Sequence, residues 1–70
     1  MTLPAERTRA IIYTKQFLER LLVPRLTPDV PESVRQEARG LLRHYPGTDD
    51  LEIAHRALPD WFGPARKAED

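Results

Sequence analysis

Apolar residues recur along the chain at spacings of three and four, the pattern of one face of an α-helix. The first such segment covers residues 4–23, and its apolar face carries Ala10, Ile11, Thr14, Phe17, Leu18, Leu21 and Leu22. Pro4 suits the first turn of a helix, whereas Pro24 cannot continue one. The pattern therefore predicts a first helix over residues 4–23.

Two further segments repeat this pattern. Residues 31–44 are predicted as helix two, because the apolar residues there follow the same spacing: Val34, Ala38, Leu41, Leu42 and Tyr45. Pro46 and Gly47 then predict a turn, after which Thr48 or Asp49 can cap a third helix over residues 48–58.

These elements predict an all-α fold, a small three-helix domain. Helices one and two are expected to form an antiparallel helical hairpin, with the shorter third helix crossing its open end. The domain is expected to span residues 1–64, and residues 65–70 to form a polar C-terminal tail. Arg7 falls within the apolar sector of helix one, so we expect its guanidinium to bind the last carbonyls of helix two.

Composition narrows the class of protein. The 70 residues include no cysteine, and 11 basic side chains balance 11 acidic ones. The longest strongly apolar run, residues 21–23, is far below the roughly 18 residues of a membrane-spanning helix, so we expect a cytoplasmic protein. A domain of this size without disulfides depends on packing, which leaves a homodimer as an open alternative. Residues 1–25 are basic and residues 48–70 acidic, an asymmetry that fits intramolecular pairing, an acidic tail or a nucleic-acid-binding face.

The sequence offers little for catalysis. His44 and His55 fall on different predicted helices without a metal-ligand motif, and the single serine, Ser33, fits the start of helix two. Asp49 and Asp50 fit the first turn of helix three, where carboxylates complement the helix dipole. Three separated glycines form no phosphate-binding loop. We therefore expect no enzyme, no cofactor and no metal site.

Two groups of residues are candidates for binding a partner. Arg35, Arg39 and Arg43 recur every four residues and would form a ridge along helix two, here called the arginine ridge. The same spacing also fits a solvated or internally paired face. Trp61 and Phe62 follow the last helix; one is expected to seal the bundle while the other anchors a partner, although core packing or simple exposure would explain both.

Two blocks carry a resemblance to a known family. The opening Thr2-Leu3-Pro4-Ala5-Glu6-Arg7-Thr8-Arg9 and the block Leu41-Leu42-Arg43-His44-Tyr45-Pro46 are similar to those of a group of small, uncharacterised proteobacterial proteins. The resemblance covers residues 2–58. It implies a bacterial protein and adds no mechanism.

These observations favour a non-catalytic adaptor or regulator that binds a protein partner, with a homodimer as one form. The alternative is a nucleic-acid-binding regulator that uses the arginine ridge. Zero net charge and the acidic start of helix three speak against that alternative, because nucleic-acid-binding domains usually carry a strong basic excess. No membrane partner is expected.

Overall fold

The computed structural model describes residues 2–65, which form three α-helices and no strand. The helices are α1 (Pro4–Leu21), α2 (Glu32–Leu42) and α3 (Thr48–Ala57). The predicted all-α fold, a helical hairpin followed by a shorter third helix, is confirmed. The polar tail predicted for residues 65–70 lies outside the described residues from residue 66 onward.

Two helices end two residues earlier than their apolar pattern predicts, and the last turns show why. The amides of Leu22 and Val23 donate to carbonyls three residues back, on Glu19 and Arg20. After α2, the amides of His44 and Tyr45 bond in the same way. Such tightened final turns satisfy carbonyls at a helix end without continuing the α-helix.

The starts of α1 and α3 are fixed by carboxylates that reach back to the chain. The Leu3 amide donates to Glu6 Oε1 at 3.0 Å before α1, and the Gly47 amide donates to Asp50 Oδ2 at 2.9 Å before α3. The residue that caps α3 is therefore Gly47, with Asp50 at the reciprocal position. The expectation of Thr48 or Asp49 as the cap was wrong by one or two residues.

The chain divides into two units, and α1 contributes to both. Within the described residues, unit 1 contains residues 2–12 and 46–65, and unit 2 contains residues 13–45. Unit 2 is the helical hairpin, made by the second half of α1, the connection over residues 22–31, and α2. Its buried apolar side chains are Leu21 and Ala38.

Unit 1 combines the first half of α1 with α3 and with residues 58–65, here called the return segment. Leu51 of α3 is buried, and Thr8 of α1 is only 1% exposed. A buried threonine needs a hydrogen-bond partner, and the return segment supplies one, as described below.

The apolar faces predicted for α1 and α2 are wider than the surface that the hairpin covers. Leu21 and Ala38 are buried, whereas Phe17, Val34 and Leu41 are exposed. The helices therefore keep apolar side chains at the surface that the sequence pattern had assigned to the core. In the part of the chain that the structure describes, no helix is both long enough and apolar enough to cross a bilayer.

Candidate protein-binding surfaces

The return segment is fixed to the start of α1 by backbone contacts. The Gly63 amide donates to the Pro4 carbonyl at 3.0 Å, and Thr8 Oγ1 donates to the Gly63 carbonyl at 3.0 Å. A Cβ atom at position 63 would lie 2.7 Å from the Cα of Ala5, closer than real Cβ contacts come. Only glycine allows the two backbones to approach this closely.

Unit 1 holds the return segment from a second side through α3. Nδ1 of His55 lies 2.8 Å from the Phe62 carbonyl, and this nitrogen must carry the proton because a carbonyl only accepts. The Ala65 amide donates to Glu52 Oε1 at 3.0 Å. Ala65, which the sequence analysis placed in a polar tail, is thus hydrogen-bonded to a helix.

Trp61 is held in place although its ring is open to solvent. Its amide donates to the Leu58 carbonyl at 2.9 Å, and its carbonyl accepts a 2.6 Å hydrogen bond from Arg7 Nη1. The Arg7 guanidinium also lies over the indole, 4.9 Å from the ring centroid. The Trp61 residue nevertheless remains 58% exposed. The indole therefore has one face covered by a cation and remains largely open to solvent.

Arg7 has a structural role, but at a different place from the one expected. From the sequence, its guanidinium was expected to bind the last carbonyls of helix two, whereas the acceptor in the structure is the Trp61 carbonyl. That expectation was wrong about the partner. The return segment places the Trp61 carbonyl next to α1. The sequence did not predict this contact, because residues 58–65 follow no periodic pattern.

The two adjacent aromatic residues differ in exposure, because Phe62 is half-buried while Trp61 is exposed. Other exposed apolar side chains lie in the two segments that pair around Arg7. Leu58 is 51% exposed and Leu3 is 58% exposed. Trp61, Leu58, Leu3 and Arg7 are here called the Trp61 surface.

Arg35 belongs to the interior of the hairpin. It is only 5% exposed, and its guanidinium donates to the Leu21 carbonyl and, at 2.6 Å, to the Thr27 carbonyl. The Thr27 hydroxyl accepts from Arg35 at 3.0 Å and lies 3.2 Å from the Arg20 carbonyl, to which it donates. Arg35 and Thr27 therefore satisfy carbonyls at the end of α1, where the helix dipole favours a cation.

The arginine ridge is reduced to its second and third members. Residues four apart on a helix are offset by about 40°, so three such residues turn progressively away from one line. Arg35 faces the interior, whereas Arg39 and Arg43 are exposed. We therefore remove Arg35 from the expected binding ridge. Arg39 and Arg43 belong to unit 2, and Trp61 and Phe62 belong to unit 1.

The two histidines, which are the remaining candidates for a catalytic or metal-binding role, lie in different units of the chain. His44 is exposed, while the His55 ring is engaged with the Phe62 carbonyl. Within residues 2–65, no group of three or more His, Cys, Asp or Glu side chains converges on a point that could hold a metal ion.

Comparison of the chain with protein-family models, with curated proteins and with solved structures finds no match. The resemblance to a small proteobacterial family therefore stays a prediction.

Proposed function

We propose that this chain is a non-catalytic protein-binding module, an adaptor or regulator, and that Trp61 is the anchor of its binding surface. The observation that carries the proposal is the combination of exposure and fixation at Trp61. The ring is open to solvent, yet Arg7 binds the backbone of this residue and covers one face of its indole. The proposed setting is the cytoplasm, as the sequence analysis expects.

Fixation matters because binding energy is lost when a partner must first order a mobile side chain. Ordering one such side chain costs about 0.5–1.5 kcal/mol. At Trp61 this cost is reduced in advance, because the Arg7 guanidinium lies against one face of the indole, and hydrogen bonds from Arg7 to the Trp61 carbonyl and from the Trp61 amide to Leu58 hold the backbone that carries the ring. Tryptophan and arginine are also the residue types that most often dominate binding energy at protein interfaces.

The exposed side chains around Trp61 fit a partner with an apolar pocket rather than a nucleic acid. Leu3 and Leu58 supply apolar surface, and unit 1 has five acidic against three basic side chains within the described residues. A phosphate backbone would be repelled by such a charge balance. The alternative of nucleic-acid binding rests on Arg39 and Arg43 alone, since Arg35 is buried.

The experiment is affinity capture from an extract of the native cell, carried out both with and without nuclease. Three forms of the tagged chain are compared: the wild type, Trp61→Ala, and Ile53→Ala as a matched control. Ile53 is 62% exposed and lies in the same unit, so its loss removes similar apolar surface elsewhere. We expect a protein recovered in near-equal amount by the wild type and by Ile53→Ala, and lost with Trp61→Ala.

The outcomes that contradict the proposal are distinct. A captured protein that both variants retain equally would place binding elsewhere. Recovery of nucleic acid alone, abolished by nuclease and by Arg39→Ala, would establish the alternative, and its affinity would then fall steeply with salt.

A further inference from the structure

The hairpin leaves an apolar surface uncovered. Tyr13 and Phe17 of α1 are 57% and 48% exposed, and Val34 and Leu41 of α2 are 38% and 58% exposed. These four residues are here called the hairpin face. All four lie in unit 2, so the surface belongs to one part of the chain.

Helical geometry places the four residues on one side of the hairpin. At 100° per residue, Phe17 and Tyr13 are turned by about 40° and 80° from buried Leu21, counter-clockwise as seen from the start of α1. Val34 and Leu41 are turned counter-clockwise from Ala38 by about 40° and 60°, as seen from the start of α2. Because the two helices are antiparallel and face each other, these two displacements point to the same side.

Opposite charges border the hairpin face. On the α1 edge, the Arg20 guanidinium lies over the Phe17 ring, 5.7 Å from its centroid. On the α2 edge, Glu37 lies three residues after Val34 and four before Leu41, which makes it a neighbour of both. Within residues 2–65, Lys15 pairs with Glu19, whereas neither Arg20 nor Glu37 forms an ion pair.

The two charges also lie at similar heights along the hairpin. Arg35 of α2 donates to the carbonyl of Leu21, which fixes the level at which the helices pass each other. Arg20 is next to Leu21 in the chain, and Glu37 is two residues beyond Arg35. At a rise of 1.5 Å per residue, Arg20 and Glu37 are therefore within about two turns of each other along the axis.

The buried core gives a reason for an additional contact. The buried apolar residues of the described chain are Leu21, Ala38 and Leu51, whereas nine large apolar side chains are exposed. The sequence has no cysteine for a disulfide. Domains of this size usually need a disulfide, a metal or a second subunit in addition to their own core.

We propose that the hairpin face binds a second copy of this chain, about a twofold axis parallel to the hairpin. This symmetry lays α1 of each copy on α2 of the other, so that four antiparallel helices form a bundle. Phe17 and Tyr13 then meet Leu41 of the second copy, and Arg20 meets Glu37 of the second copy. Each contact occurs twice, and the zero net charge of the chain adds no long-range repulsion.

The charges select this axis over the alternative one. A twofold axis perpendicular to the helices would lay α1 on α1 and α2 on α2. Arg20 of one copy would then lie on the α1 edge of the other copy, which carries Arg20, and Glu37 would lie on the α2 edge, which carries Glu37. The parallel axis pairs opposite charges instead. The proposal rests on the hairpin alone and does not depend on the Trp61 surface, so either can fail without the other.

The area available indicates a reversible dimer. Half-exposed aromatic rings offer about 100 Å² each, and the four apolar residues together offer roughly 350 Å² per copy, with the charged edges in addition. A standard stable interface covers about 800 Å² per partner. We therefore expect a monomer–dimer equilibrium that shifts with concentration.

The test is sedimentation equilibrium of the full chain over a dilution series. The variants are Arg20→Glu, Glu37→Arg, and the two together. We expect a dimer for the wild type, at least about a tenfold weaker dimer for each single variant, and recovery to within about threefold for the double variant, because the exchanged charges pair again. Arg39→Glu makes the same charge change away from the hairpin face and is expected to leave the equilibrium unchanged.

Circular dichroism checks that each variant keeps its helices, and the three substituted positions, Arg20, Glu37 and Arg39, are all exposed to solvent. The proposal is overturned if the wild type stays monomeric at every concentration. This holds even if the hairpin face of that monomer binds a helical peptide from another protein. It is equally overturned if Arg39→Glu weakens the dimer as much as Arg20→Glu, or if the double variant is no tighter than the single ones.

Discussion

Thr8 and Gly63 are 55 residues apart in the chain, and the Thr8 hydroxyl donates a 3.0 Å hydrogen bond to the Gly63 carbonyl in the interior of unit 1. This bond joins α1 to the return segment that carries Trp61. Its position explains why a threonine is the largest fully buried side chain in the described structure. Loss of the bond should therefore affect both stability and the Trp61 surface.

The first prediction concerns Thr8→Val, which keeps the volume of the side chain and removes the donor. The Gly63 carbonyl would then be left without this partner, so we expect the free energy of unfolding to fall by about 1–3 kcal/mol. Urea denaturation measures this change. Thr8→Ser keeps the hydroxyl and serves as the control; an equal loss for Ser and Val would mean that the hydrogen bond is not what matters at this position.

The second prediction compares two glycines. Gly63→Ala places a Cβ atom against the backbone of Ala5, so we expect a loss of about 1–3 kcal/mol in the free energy of unfolding. At Gly40 in α2, an added Cβ atom would meet nothing within 4 Å. Gly40→Ala should therefore stabilise the chain by about 1 kcal/mol through helix propensity. Thermal unfolding that ranks the two variants in the opposite order would contradict the packing described here.

The third prediction concerns Arg35. Arg35→Lys keeps the charge but cannot reach the carbonyls of Leu21 and Thr27 with a rigid fork of donors. We expect the unfolding free energy to fall by about 2–3 kcal/mol, the scale of hydrogen bonds made by a charged group. The exposed Arg39 is the matched control, and Arg39→Lys should change stability by less than about 0.5 kcal/mol. Equal effects at both positions would contradict a special role for Arg35.

The fourth prediction uses the single tryptophan of the chain as a reporter. Arg7→Met removes the cation over the indole and the hydrogen bond to the Trp61 carbonyl. We expect a changed Trp61 emission spectrum and a loss of about 0.5–1.5 kcal/mol in stability. Arg9→Met, at an exposed position on the same helix, is expected to leave the spectrum unchanged. Identical spectra for wild type and Arg7→Met would show that the stacking does not persist in solution.

Periodicity and punctuation predicted the helices because both signals are local. The prolines and Gly47 mark the helix ends, and the two-residue errors at the ends of α1 and α2 arise where the final turns tighten. The width of the covered surface was not predictable in the same way. A pattern shows which residues share a helix face, but not how much of that face a neighbouring helix reaches, and Phe17 and Leu41 are exposed for this reason.

The candidate site was predicted in part. Trp61 and Phe62 were named together, because two adjacent large aromatics cannot easily face one core, but the sequence did not tell which of the two is exposed; the structure exposes Trp61 and half-buries Phe62. Thr8 and Gly63 were missed, since their contact joins distant parts of the chain and neither follows a periodic pattern. Arg35 was misplaced because spacing alone does not tell which of three arginines faces inward.

The central claim is that the Trp61 surface binds a protein, and site-specific cross-linking tests it most directly. Benzoylphenylalanine replaces Leu58, the exposed neighbour of Trp61 on this surface, in one form of the chain and Ile53 in a control form, so that Trp61 is kept in both. Both forms are irradiated in nuclease-treated native extract. We predict a discrete adduct with another protein from position 58, displaced by excess unmodified chain and missing from position 53. The absence of an adduct at position 58, or the same adducts from both positions, would contradict the claim.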